Sequence, residues 1–123
     1  MATYVVINDK QYPAVITGRL NDTDWGDRES KAIEVEMTYA EAMALFVDDV
    51  IWNIAQDIEI ERETEDEYGN ITRKTVVEQE IYDNSEYSIA GDVIDHRDGR
   101  VTVKMGKPTS DELLMMLEEA LGL

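Results

Sequence analysis

A chain of 123 residues, 43% of them hydrophobic, is long enough to bury one core without covalent staples, so a single domain spanning 1–123 is expected. It has no cysteine, which excludes a disulfide framework and a thiolate metal site. Eleven Lys and Arg stand against 28 Asp and Glu, a formal net charge of -17; this argues against direct nucleic-acid binding and against an anionic membrane surface, because both require cations on the protein.

Thr3 to Ile7 is a β-branched run, and the turn-prone NDK after it leads into a second strand around Ala14 to Leu20. Pro13 cannot donate to a ladder, so it belongs at the start of that strand or on an edge. Residues 21–30, NDTDWGDRES, read as a polar loop around Trp25. KAIEVEM alternates, with Ile33, Val35 and Met37 on the apolar side, and predicts a half-buried strand. Thr38 and Glu41 have capping-box spacing and open a short helix to about Val47, apolar on nearly every side and therefore expected to be buried.

A long strand ending in DIEIERETEDEY and its return ITRKTVVEQEIYD form a hairpin turning on Gly69 and Asn70. EYSIAGDVID and VTVKMGK form another around Asp98-Gly99, and Thr109 with Glu112 caps a terminal helix, SDELLMMLEEALGL. The expected class is α+β: a mainly antiparallel sheet built from hairpins, one short internal helix and a C-terminal amphipathic helix.

The long hairpin, at about 57–82, is expected to project, with an acidic face. Carboxylates occupy every odd position from Asp57 to Glu67. A two-residue turn would set Asp66 against Arg73, Glu65 against Lys74, Glu61 against Glu78 and Glu59 against Glu80, gathering four carboxylates into one patch at some cost. The candidate partner-binding residues are therefore Glu59, Glu61, Glu63, Glu65, Glu78 and Glu80. Met115 joins them, because it falls among the acids of a terminal helix whose apolar arc runs through Leu113, Leu114, Met116, Leu117, Ala120 and Leu121. That arc is expected to pack on the sheet, or else to dock between subunits.

Chemistry-bearing motifs are missing. His96 is the sole histidine and lies beside a turn. No serine stands in a G-x-S-x-G context, and there is no phosphate-binding glycine loop. Asp22, Asp24 and Asp27 evoke a calcium loop, but an EF-hand needs glycine at the sixth position and glutamate at the twelfth. Counting from Asp22, glycine comes one early and Ile33 stands twelfth, which leaves only a weak irregular cation site in 21–29 as an alternative to a polar loop. No catalytic, cofactor-binding or metal-binding residues are assigned, no cofactor is expected, and a non-enzyme is.

No apolar run approaches the ~20 residues that cross a bilayer, and MATYVVINDK lacks a signal-peptide pattern; a soluble protein of the host cytoplasm is expected. The segments RESKAIEVEMTYAEAMALF and YDNSEYSIAGDVIDHRDGRVTVKMGKPTSDELL resemble small uncharacterised proteins of phages and prophages of Gram-positive anaerobes, often encoded among head and tail genes. The resemblance implies a phage-related origin and carries over no functional residue. It accommodates a virion structural or assembly component, incorporated into particles and self-associating through a sheet edge or the terminal helix. It equally accommodates an acidic nucleic-acid mimic that inhibits a host DNA-binding enzyme of restriction or CRISPR type. Both act through a protein partner, in the second case a basic one.

Overall fold

In the computed structural model, which describes residues 2–122, seven strands follow one another along the chain. They are β1 (Thr3–Ile7), β2 (Lys10–Asp22), β3 (Arg28–Glu36), β4 (Asn53–Glu65), β5 (Ile71–Asp83), β6 (Ile89–Asp95) and β7 (Arg100–Gly106). Helix α1 (Tyr39–Leu45) interrupts them and helix α2 (Ser110–Leu121) follows the last. All neighbours pair antiparallel in one sheet, ordered β5-β4-β1-β2-β3-β7-β6. This is the α+β class that the sequence predicts.

Alternation decides which side is core. Val5 and Ile7 on β1, Ile33 and Val35 on β3, and Val101, Val103 and Met105 on β7 share one face and are almost fully buried. Over them lie Ala42 of α1, Phe46, Trp52 and Tyr87. Trp52 meets Tyr87 edge-on with ring centroids 6.4 Å apart, and its indole N–H donates to the Tyr87 carbonyl at 3.2 Å. The buried ring therefore keeps a polar partner.

Three local expectations change. Helix α1 is not buried all round: Ala42 is, whereas Tyr39 and Met43 are exposed, because so short a helix turns only one stripe to the sheet. Thr38 caps it by accepting from the Glu41 amide at 3.1 Å, which is one half of the expected box. Pro13 lies inside β2, facing Tyr4 and one residue before the first β2–β3 pair, Ala14 with Val35. At that point β2 has β1 as its only partner, so the missing amide interrupts no ladder on the other side.

Within residues 21–29 it is Asp22 that turns inward. Asp22 is fully buried and caps the 3-10 turn Thr23–Trp25 by accepting from the Asp24 amide at 3.2 Å. Ser30 donates to it at 2.8 Å, Lys104 at 2.9 Å and Arg19 at 3.2 Å. Its carboxylate thus ties the end of β2 to β3 and β7. The Lys104 hydrogen bond first, then that of Ser30, hold its pKa down to about 2, against the opposing pull of burial.

A depressed carboxyl adds stability above the unfolded carboxylate range and loses it as pH falls through the folded value. Stability should therefore decline between about pH 4 and about pH 2. Asp22→Asn should be less stable at neutral pH and show a flatter decline across that window, measured by denaturant titration at a series of pH values. The flattening should be partial, because Glu29 and Glu112 are also held below the usual range. An unaltered pH profile in the variant would remove Asp22 from this role.

Candidate functional site

The β4–β5 hairpin runs on beyond its neighbour in the sheet. Strand β1 pairs with β4 only from Asn53 to Gln56, and the Asp57 amide then donates to the Ala2 carbonyl at 2.9 Å. Past that point, 58–65 and 71–78 form a two-stranded ribbon with both outer edges open.

Its turn differs from the expected one. The Asp66 carboxylate accepts from the backbone amides of Tyr68 and Asn70, each at 2.9 Å, and these two bonds hold its pKa below the ordinary range. The Asp66 amide donates to the Asn70 carbonyl at 3.0 Å. Gly69 takes φ +82°, and Asn70 is not left-handed. A two-residue turn on Gly69 and Asn70 would set Tyr68 against Ile71, whereas Ile71 pairs with Glu65. The hairpin instead closes over three residues, Glu67 to Gly69, with glycine supplying the single left-handed site.

That shift is odd in number, so it reverses facing. Glu59 pairs with Val77, Glu61 with Thr75, Glu63 with Arg73 and Glu65 with Ile71, while Glu78 pairs with Ile58 and Glu80 with Gln56. The expected patch of Glu59, Glu61, Glu78 and Glu80 is therefore not formed: Glu78 and Glu80 lie on the opposite face of the ribbon. The expected ties of Asp66 to Arg73 and Glu65 to Lys74 fall away for the same reason. Arg73 binds Glu63 at 2.9 Å, Arg62 binds Glu78, and Lys74 stands opposite Arg62.

One face now carries Asp57, Glu59, Glu61, Glu63 and Glu65 in an unbroken ladder. Asp57 accepts from the Tyr4 hydroxyl and from the Gln79 amide, both at 3.3 Å; its negative charge, chiefly, pushes the Tyr4 pKa up. Among the described residues Glu59, Glu61 and Glu65 enter no ion pair. Exposed Val77 and Ile71 alternate with them across the strand pair.

Helix α2 is the second surface. Thr109 and Glu112 form a complete capping box, and Gly122 closes the far end at φ +72°. The root is clamped by Arg28. Its guanidinium sits 4.8 Å from the centre of the Trp25 ring, donates to the Lys107 carbonyl at 3.1 Å and binds Glu112 at 2.7 Å. Trp25 in turn packs on Gly91 and Gly106, where a Cβ would stand within 3 Å of the indole.

Beyond that root the helix is bare. None of its residues is buried: Leu113 is 53% exposed, Met115 63% and Leu121 64%. The packing expected between this arc and the sheet does not occur. The side turned to the body carries Glu112, Met115, Met116 and Glu119, which overhang Asp48, Asp49 and Ile89 across an open cleft. Met115 is thus on the inner side of the helix and still largely exposed.

His96 is exposed, with Nε2 2.7 Å from the Thr102 hydroxyl. No group of three or more His, Asp or Glu among the described residues is placed to hold a metal ion, and no described helix is long and apolar enough to cross a membrane. No family model, curated protein or solved structure matches the chain.

Sequence reasoning missed Arg28 as the clamp of α2 and Asp22 as a buried hub. The spacing of Trp25 and Arg28, three residues apart before a strand, is the local signal for the first. The second leaves none, since Lys104, the partner that draws Asp22 to β7, is remote in sequence.

The register is open to direct test. Cross-strand Hα contacts should join Glu61 to Thr75 and Glu59 to Val77 in NMR spectra. Asp66→Ala, which removes two charge-assisted bonds, should lower amide protection in 59–65 and 71–77 by about tenfold. A contact between Glu61 and Glu78 would restore the shorter turn and the four-carboxylate patch.

Proposed function

We propose that the chain is a non-enzymatic component acting through protein–protein contacts, a structural or assembly part of a phage or prophage particle made in the host cytoplasm. One observation carries the contact role. A rooted, doubly capped helix leaves its leucines and methionines uncovered, although exposed apolar surface on this scale is a standing cost to a protein in water. The particle context is supported by the resemblance of both halves of the sequence to phage proteins encoded among head and tail genes. The open edge at β6 offers a further contact site between copies. The test is quantitative analysis of particles purified from the native host, in which the chain is expected at a fixed copy number per particle. A monodisperse monomer absent from particles would refute this role.

A second reading is favoured by the five-carboxylate ladder. Carboxylates at alternate positions of a strand recur every ~6.7 Å, a scale broadly similar to that of phosphates along a nucleic-acid strand, so the ribbon would occupy the basic groove of a host restriction or CRISPR enzyme as a nucleic-acid mimic. The face in question holds Asp57 to Glu65 and excludes Glu78 and Glu80. Such binding should be salt-sensitive, competed by DNA, and at least about tenfold weaker when Glu59, Glu61, Glu63 and Glu65 are all replaced by Gln. Affinity unchanged by that replacement would end the mimic reading.

A further inference from the structure

The outward side of α2 is a leucine stripe. Leu113, Leu114, Leu117 and Leu121 lie roughly 160° around the helix from the side that overhangs the cleft, at 100° per residue. Each is more than half exposed. Asp111 and Glu118 border the stripe on one flank, and Ala120 and Met116 on the other; no Lys or Arg occurs between Ser110 and Leu121. A surface that covers the stripe is therefore matched when it is apolar along its middle and positive along the margin that meets Asp111 and Glu118.

A second copy of this chain does not meet that description. Helix packed antiparallel on helix would set the acidic flank of one copy against that of the other. Among the described residues the cations outside ion pairs are Lys31, tucked over the Tyr87 ring, and Lys10, Lys74 and Arg97, which stand on three separate hairpins. They gather into no positive rim. Area points the same way: a helix of this length is about 18 Å long and about 10 Å across, so one face offers roughly 200 Å², against about 800 Å² per partner in a standard interface. A groove covers more, because it wraps the flanks and reaches Met116 and Ala120 as well.

We propose, resting on the contact role above, that α2 is a ligand helix that seats in an apolar groove on a different protein chain, with Lys and Arg along the rim that meets Asp111 and Glu118. The clamp at Arg28 holds the helix at a set angle from the sheet, so less freedom is lost on docking.

The test uses the full chain and three synthetic amphipathic helices as probes: one built of Leu and Lys, one of Leu and Glu in the same pattern, and one of Lys and Ser with the same charge but no apolar stripe. The Leu/Lys helix alone should bind, at least about tenfold more weakly to Leu117→Ser/Leu121→Ser and again more weakly at high salt. Equal binding of the Lys/Ser helix, binding of the Leu/Glu helix, no binding at all, or self-association abolished by the double variant would each overturn the proposal. Particle incorporation separates this inference from the reading it rests on. If the double variant enters particles as well as the parent does, the groove is wrong and the structural role stands. If the parent itself is absent from particles, the structural role fails and the peptide result alone decides the groove.

Discussion

Cover is the scarce quantity in this protein. A seven-stranded sheet has a single seven-residue helix, together with the segments around Phe46, Trp52 and Tyr87, to lay over one of its faces. The apolar cluster accordingly concentrates on β1, β3 and β7, where those covers reach. Everything farther out is two-stranded or single: the ribbon of β4 and β5 on one flank, and α2 beyond β7 on the other. The second sheet face is held by ionic contacts, with Arg100 spanning Glu34 and Glu36 at 3.3 Å each and Lys104 reaching Asp22. Exposed pairs of the Arg100 kind contribute little in water, so the fold rests on the covered face.

That shortage explains why α2 needs its root. An isolated helix of a dozen residues is marginal in water, because nucleation is unfavourable and tertiary packing normally supplies the stability. Here the packing is missing along the body, and Glu118 and Glu119 sit at the end of the dipole that disfavours them. What remains is local: the reciprocal Thr109–Glu112 box, the Gly122 amide returned to the Glu118 and Glu119 carbonyls, and Arg28 bound to Glu112. Glu112 serves the cap and the clamp with one carboxylate, which is why the Thr109 amide and the Arg28 guanidinium both draw its pKa down.

Where the sequence was legible, the reason is periodicity. Ile33 and Val35 alternate with Ala32 and Glu34, and the observed strand buries the predicted side. β1, β5 and β7 and both helix starts lie close to where local signals place them. Pairing across the long hairpin was a different kind of question, because it hung on one turn. Gly69-Asn70 has the composition of a two-residue turn, but Asp66 offers the backbone a side-chain acceptor one position earlier, and two charge-assisted bonds to amides outweigh a turn preference. Strand facing has period two, so that single decision displaced Glu78 and Glu80 from the candidate patch while leaving every strand in place. Exposure of α2 was hidden for another reason. An amphipathic arc states that a helix has something to bury, and not whether the same chain provides the place.

The two surfaces left over are chemically opposite, and the difference bears on what each can do. The ribbon has both edges open, which invites pairing with another chain, yet its face is ruled with carboxylates and its apolar side chains are interleaved with charge. Neighbouring like charges ~6.7 Å apart in water repel by about the thermal energy and are screened by salt. The ladder is therefore tolerable within one ribbon. It becomes costly when a second acidic ribbon approaches, where several such repulsions act together. Charge on an open strand is a recurrent guard against edge-to-edge association, and at a net charge of -17 the guard extends over most of the molecule. The leucine stripe of α2 is the exception, a continuous apolar surface with charge, Asp111 and Glu118, along one border. Self-association is opposed along the ribbon, and the acidic flank of α2, Asp111 and Glu118, opposes it again where two such helices would meet antiparallel.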